Sequence, residues 1–506
     1  MNPQLAIIGI DSLDPHILLK YRDELPTFSS LISKSDSLII KSTFPVDSIP
    51  AWATIYTGLN PGNHGFLYSY DIFDPNLSDL HKLNSTSLKS KTFWDFTSSS
   101  GYKSLILFPM FIYPTWEING AMVCKSPFDK KINDIQTEIS LDTFPTKIKK
   151  DYNIPDNISS IWGGYPGKNN LNKWANTGYE ALKNEFSLTK QIFSVEKWDV
   201  LHIYFSLLDI IQHRLWRFFD EHDPIYYYEK DLCSKILDYY KLFDRFLQDF
   251  IEQYPDTGLI IISDHGHSIR PINTININEY LRQKGYLISN AKKIRFGNLI
   301  KQVLLEIISK FELEYYVIKI ISSNGLITKK SKVMYSSKGQ INNQLTNASL
   351  SSFAGIKSYS FGGIEINRNC LSDSEYFKIR QEIIDSLILL KSPDGKTLFN
   401  WIIKREDLYN HNPGKYNSQL FPDIVFELQP DYCVGWNLYS NLFGKSYDHK
   451  VASGGHAKEG VILLRNINRE VMTNDINLRD ITPTILDLLN ISKPGYSFDG
   501  QSILKS

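Results

Sequence analysis

Three carboxylates, three imidazoles and one hydroxyl stand out in this chain: Asp11, Asp209, Asp264, His213, His265, His456 and Ser48. Together they are the side chains that two borderline divalent cations and an activated nucleophile require. Asp264-His265-Gly266 leaves a buried apolar run, offering adjacent hard and borderline ligands at a sharp turn. Asp209 and His213 are four residues apart, which sets a carboxylate and an imidazole on one face of a helical turn. Ser453-Gly-Gly-His456 places an imidazole after a flexible loop, with His449 as its competitor seven residues earlier. Ser48 precedes Pro50, so it reads as the N-cap of a helix whose N-terminus favours an alkoxide and an approaching phosphate. Singly, these are equally a strand-end turn, a chance pair, a structural histidine and a cap. As a set they predict a metallohydrolase acting on phosphate esters.

The elements that must hold them alternate. Ala6–Ile10, Ser37–Lys41, Lys103–Phe108, Asp199–Ser206 and the run from Leu259 are strand-like. Helical periodicity fills 26–32, 50–56, 176–197 and 226–252. Short apolar runs between helices predict a mainly parallel sheet covered on both faces. In such sheets ligands collect beyond the carboxyl ends of the strands, where Asp11, Asp264 and His265 fall. The alternation breaks after about residue 285. From 286 to 332 there are nine Lys or Arg against three Glu, which reads as a solvated helical face or as a lid presenting positive charge to an anionic substrate. Core signals return in Phe361–Asn367, Asp423–Leu428 and Gly460–Leu464, and a helix over 484–489 closes the chain. The expected organisation is a catalytic core over 1–280, with a pocket-side insertion near 110–175, an inserted cap over 281–435, and the rest of the core over 436–506.

Composition excludes several classes. Lys plus Arg equals Asp plus Glu at 55 each, so the balance gives no sign of nucleic-acid coating. Four scattered cysteines without a Cys-x-x-Cys pair argue against a disulfide framework or a thiolate zinc site. The start, MNPQLAIIGIDSLDP, reads as a buried strand, and no run approaches the ~20 apolar residues of a membrane span. A cytoplasmic location is the expectation.

Read together, Gly-Ile-Asp11, Pro50-Ala-Trp, Thr57-Gly-Leu-Asn-Pro-Gly-Asn-His-Gly65, Leu208-Asp209-Ile-Ile-Gln-His213, Ser263-Asp264-His265-Gly266, Phe421-Pro-Asp-Ile-Val425, Gly454-Gly-His456-Ala-Lys-Glu-Gly460 and Asp480-Ile-Thr-Pro-Thr484 resemble the alkaline phosphatase superfamily, in its type I phosphodiesterase/nucleotide pyrophosphatase branch. The resemblance runs through nearly the whole chain. It implies an alkaline-phosphatase-like α/β/α sandwich with an inserted cap. It also implies two metal ions, zinc or else manganese or iron. Asp209, His213 and His456 would hold one, and Asp11, Asp264 and His265 the other, with Ser48 against the second as nucleophile. The implied reaction proceeds through a phospho-serine intermediate that water releases.

Two departures bear on the substrate. The family usually carries threonine where Ser48 stands, a chemically equivalent exchange. It also places an asparagine after the His-Gly turn, whereas here the nearest residues are Ser69 and Tyr70. Those two and Lys458 are the candidate substrate contacts. The leading expectation is a phosphodiesterase or pyrophosphatase for a small phosphate ester such as a nucleotide. A phosphomonoesterase, phosphonate hydrolase or phosphotransferase is the alternative, and a non-catalytic binding protein the third. A sulfatase is rejected, because Ser48-Ile-Pro-Ala-Trp52 has tryptophan where the formylglycine motif needs arginine. His64 and His267 read as structural.

Overall fold

The computed structural model describes residues 2–35, 38–67, 85–124, 134–137, 165–289, 303–323, 340–351, 353, 359–409, 418–472, 475–492 and 495–505. Ser69, Tyr70, residues 161–164 and the 290–302 and 324–332 parts of the basic stretch lie outside them. The described residues form two compact units, one of residues up to 67, 85–268 and 456 onward, the other of residues 269–455.

The first unit is built on an eight-stranded sheet. Its strands run in the order Ile39–Lys41, Glu459–Arg465, Gly258–Ile262, Leu5–Ile10, Val200–Phe205, Ser104–Leu107, Gly120–Cys124, Asp134–Thr137. Leu5–Ile10 pairs in parallel with Val200–Phe205 on one side and Gly258–Ile262 on the other. Ser104–Leu107 and Gly120–Cys124 extend the parallel set, and the strands beyond it are antiparallel. Every residue of the five parallel strands is buried. That is why they read as unbroken apolar runs with no alternation.

The helices start and stop where local chemistry dictates. Pro26–Lys34 opens on its proline, which costs nothing at a position whose N–H has no helical partner. The expected 176–197 helix is Leu171–Phe193, because Leu171, Trp174 and Ala175 extend its buried stripe upstream. The expected 226–252 helix begins only at Lys235. Tyr227 and Tyr228 are exposed, Asp223 Oδ1 accepts from the Ile225 N–H in a local turn, and no apolar stripe spans Glu229-Lys-Asp231. The last helix is Ile481–Leu488, its Pro483 tolerated in the first turn.

The second unit has its own core. Ala348–Leu350, Phe361–Ile366, Ile424–Leu428 and Phe399–Lys404 form an antiparallel sheet. A three-stranded sheet of Tyr432–Gly435, Asn273–Asn276 and Phe443–Lys445 completes it. Ile364, Phe399, Phe426, Ile383 and Trp436 are among its buried side chains. Among the described residues, no helix is long and apolar enough to cross a membrane.

Candidate metal centre

Sheet register brings the site residues to one edge. Ile10 is level with Phe205, and Gly9 with Ile262, so three adjacent strands end together. Asp11 follows the first strand, its N–H donating to Phe205 O at 2.9 Å. The Leu207–Phe219 helix follows the second and carries Asp209 and His213. Asp264 and His265 follow the third. All five carboxylate and imidazole positions that follow these strands are buried.

Ser48 arrives on the Ser48–Thr57 helix, and here the sequence reading needs correction. The N-cap is Asp47, whose carboxylate accepts from the Ile49 N–H at 3.4 Å; Ser48 is the first helical residue. Asp47 is the stronger acceptor for that role, which leaves the Ser48 hydroxyl to point elsewhere. Its Oγ lies 3.2 Å from His265 Nε2 and 3.5 Å from Asp11 Oδ1. Trp52, one turn on, fixes the helix against the first strand. A Cβ on Gly9 would come 2.5 Å from Trp52 Cη2, so only glycine leaves room for the indole. The Trp52 ring meets Tyr204 edge-on at 4.9 Å, and the Tyr204 hydroxyl donates to Asp11 Oδ2.

Overlapping clusters of ligand atoms result, one of which joins Asp209 and His456 to His265. In the first, Asp11, Asp264 and His265 bring one ligand atom each within 4.8 Å of one another. His265 Nε2 is 3.2 Å from Asp264 Oδ2 and 3.8 Å from Asp11 Oδ1. Its other nitrogen, Nδ1, lies 3.0 Å from Gly266 O. Donation to that carbonyl leaves the Nε2 lone pair facing the carboxylates. Ser12, in a left-handed conformation at φ 63°, turns the chain so that its N–H donates to Asp264 Oδ1 at 3.2 Å. Gln212 Nε2 holds the Ser12 carbonyl at 2.8 Å.

The second cluster surrounds Asp209. Its Oδ1 is 3.2 Å from His213 Nε2 and 3.6 Å from His456 Nε2. His456 Nδ1 lies 3.1 Å from Val46 O, so the same tautomer logic turns Nε2 inward. His267, read from sequence as structural, stands in this cluster too, grouped with Asp209 and His213. The alternation Asp264-His265-Gly266-His267 was the available signal, since a strand leaving the turn points every second side chain to one face. His64 is structural, as expected: Nδ1 accepts from the Phe66 N–H and Nε2 meets Thr54 Oγ1 at 3.0 Å. His449 lies in the second unit and joins none of the candidate ligand groups among the described residues. Lys458 is exposed, two residues past His456.

The electrostatics are those of a cation site. Burial, then the charges of Asp264 and Asp209, push Asp11 well above the usual carboxylate range. Burial and then Asp209 do the same to Asp264. Asp209 goes the other way: burial would raise it, but the imidazoles of His213, His456 and His267 outweigh that and hold it low. Burial and the His265 ring keep His456 neutral by lowering it well below the ordinary histidine range. Asp209 Oδ1 and Asp264 Oδ2 are buried acceptors without a hydrogen bond among the described residues. Orphaned carboxylate oxygens facing imidazole lone pairs are costly in a dry site unless a cation joins them. The donor set is nitrogen and oxygen without thiolate, so these residues fit divalent metal ions.

A sequence model of the type I phosphodiesterase / nucleotide pyrophosphatase family matches residues 5–352 of this chain. The chain belongs to that family. No curated protein matches it. In fold it is similar to phosphonoacetate hydrolase from Sinorhizobium meliloti 1021, solved with phosphonoacetate. That match has a TM-score of 0.56 and 12% identity, covering 97% of this chain and 96% of the other. The phosphonoformate complex of the same enzyme aligns with a TM-score of 0.55 and 13% identity over the same shares. The type I phosphodiesterase family and the likeness in fold place the chain in the alkaline phosphatase superfamily, among metal-dependent phosphoryl hydrolases. The mixed α/β architecture with a large, mainly parallel sheet agrees with it.

Proposed function

We propose that this protein is a two-metal phosphodiesterase or pyrophosphatase that works through a phospho-serine intermediate on Ser48. The observation that carries the reading is the Ser48 hydroxyl, set 3.2 Å from His265 Nε2 and 3.5 Å from Asp11 Oδ1 at a helix start. Asp11, Asp264 and His265 would hold one ion beside Ser48. Asp209, His213 and His456 would hold the other. Zinc suits this donor set best, with manganese or iron next. Two such ions supply charge neutralisation for the attacking and leaving oxygens of an in-line displacement.

The chain's own residues do the rest. The start of the Ser48–Thr57 helix sets its positive dipole end beside the Ser48 hydroxyl, while the Asp47 carboxylate takes the Ile49 N–H and Pro50 has none to offer. Asp11 Oδ1 and His265 Nε2 are the atoms nearest the Ser48 hydroxyl; as ligands of the neighbouring ion they would fix where the hydroxyl sits, and its proton would leave to solvent. Ser48 Oγ bonds to phosphorus as the ester oxygen leaves, and water then cleaves the phospho-serine bond. Lys458, with Ser69 and Tyr70, remains in the proposal as a substrate contact, and residues 281–435 as the cap that sets specificity. A cytoplasmic location belongs to the same proposal, carried by the sparse, scattered cysteines.

The test is turnover by the purified chain, supplied with zinc or manganese, on a panel. Bis(p-nitrophenyl) phosphate and nucleotide diesters should be cleaved, faster than p-nitrophenyl phosphate. Activity on the monoester or on phosphonoacetate alone would move the assignment to a monoesterase or phosphonate hydrolase. Inactivity on all of them would refute the reading.

A further inference from the structure

The reading above gives the Asp209 ion three protein ligands and leaves His267 without a task. We propose that His267 is a further ligand of that ion, which is then held by three imidazoles and one carboxylate. The inference rests on the two-metal reading and deepens it.

Geometry points there first. Asp209, His213 and His267 each present a ligand atom within 4.8 Å of the others, and all three are buried. His267 Nδ1 is 3.8 Å from Asp209 Oδ1. Its ring meets that of His213 edge-on with centroids 4.7 Å apart, and Trp216 lies 5.0 Å away. Metal–nitrogen bonds of ~2.0–2.1 Å set neighbouring ligand atoms roughly 3.2 Å apart in a five-coordinate ion, which keeps one position for a substrate oxygen. The separations to Asp209 Oδ1 are 3.2, 3.6 and 3.8 Å for His213, His456 and His267. They lie at or somewhat above that value, so the distances to Asp209 ask for shifts of a few tenths of an ångström. Asp209 Oδ1 itself is a buried acceptor with no hydrogen bond among the described residues, and three ring nitrogens converge on it.

The backbone at His267 is held in place. Its N–H donates to Asp14 Oδ2 at 3.0 Å, and Asp14 also caps the Pro15–Lys20 helix. A Cβ on Gly266 would lie 2.3 Å from Glu459 O and 2.6 Å from Asp14 Oδ2, so the preceding residue must be glycine for this approach. The competing role is also visible. Ser12 Oγ lies 2.7 Å from His267 Nδ1, and 3.3 Å from Gly266 O, which keeps a partner for the hydroxyl if Nδ1 turns to a metal. A nitrogen-rich set favours zinc over magnesium or calcium, which take oxygen ligands.

The experiment is a crystal structure of the zinc-loaded full chain with anomalous scattering. It is joined by metal stoichiometry and chelator competition on wild type and His267→Gln, and by visible spectra of their cobalt(II) forms. The expected result is two zinc ions per chain, with His267 Nδ1 within ~2.3 Å of the one at Asp209. His267→Gln should weaken one ion at least tenfold and change the cobalt band. An ion on Asp209, His213 and His456 with His267 Nδ1 still on Ser12, and an unchanged cobalt spectrum, overturns the inference and leaves the two-metal reading standing. No ion at Asp209 overturns both. If His267→Gln does not fold, the wild-type map decides.

Discussion

His213 and His456, 243 residues apart in the chain, face each other through their Nε2 atoms at 3.0 Å. Two nitrogens at that distance need a proton or a cation between them. Donation of His456 Nδ1–H to Val46 O and the burial that keeps the ring neutral both favour the cation. We expect His456→Ala to lose one of two ions per chain and to lower kcat/KM at least ~100-fold. Elemental analysis after gel filtration reads the first and steady-state kinetics the second. Full retention of metal would remove His456 from the ligand set.

Ser48→Ala should lower turnover at least ~1,000-fold, since only the nucleophile is deleted. Metal content should stay at the wild-type value, because three other donors hold each ion. Ser48→Thr keeps the hydroxyl and should keep most of the activity. Rapid-quench trapping of a phosphorylated peptide containing residue 48 in wild type, and its absence in Ser48→Ala, would check the intermediate directly.

Tyr204 orients Asp11 through its hydroxyl while its ring packs on Trp52. Tyr204→Phe preserves the ring, so its stability cost should stay near 1 kcal/mol. The rate should fall by about 10–100-fold, as expected when a group that fixes a metal ligand is lost. An unchanged rate with unchanged metal affinity would show that Asp11 is held by other contacts.

Gly9→Val should be among the costlier single changes in the core. Even a Cβ meets Trp52 at 2.5 Å, and overpacking of this kind costs about 1–3 kcal/mol or more. Because Trp52 rides on the helix that carries Ser48, activity should fall with stability. The double variant Gly9→Val, Trp52→Leu should recover part of the stability in denaturant titration. No recovery would mean that the clash is not with Trp52.

Acid should weaken the fold through His64 and His202. Burial lowers each from 6.5 to about 3. The folded form therefore keeps both neutral while the unfolded chain protonates them. Their contribution is complete above pH 6.5 and is lost as pH falls from there towards 3. Between pH 7 and pH 5 this costs about 2 kcal/mol for each histidine. His202 lies in the Val200–Phe205 strand, stacked near Trp94, so His202→Leu keeps an apolar group among these neighbours. Denaturant titrations at the two pH values should show a smaller acid loss in that variant; an equal loss would reject the assignment.

What the sequence by itself determined was local. An unbroken apolar run followed by Asp11, another followed by Asp264-His265, and a four-residue spacing between Asp209 and His213 are legible because strand ends and helical turns follow from neighbouring residues. The tertiary structure decided what depends on which strands are neighbours. Registers of Ile10 with Phe205 and of Gly9 with Ile262 bring three distant ends to one edge, and no local pattern encodes that order. It decided that Asp47 takes the cap and frees Ser48, because both residues suit a helix start and only Asp11 and His265 opposite settle which one turns inward. It also brought His267, read from sequence as structural, into the Asp209 cluster. A side chain's face is set by the strand it leaves, but its partners are set by what folds against it.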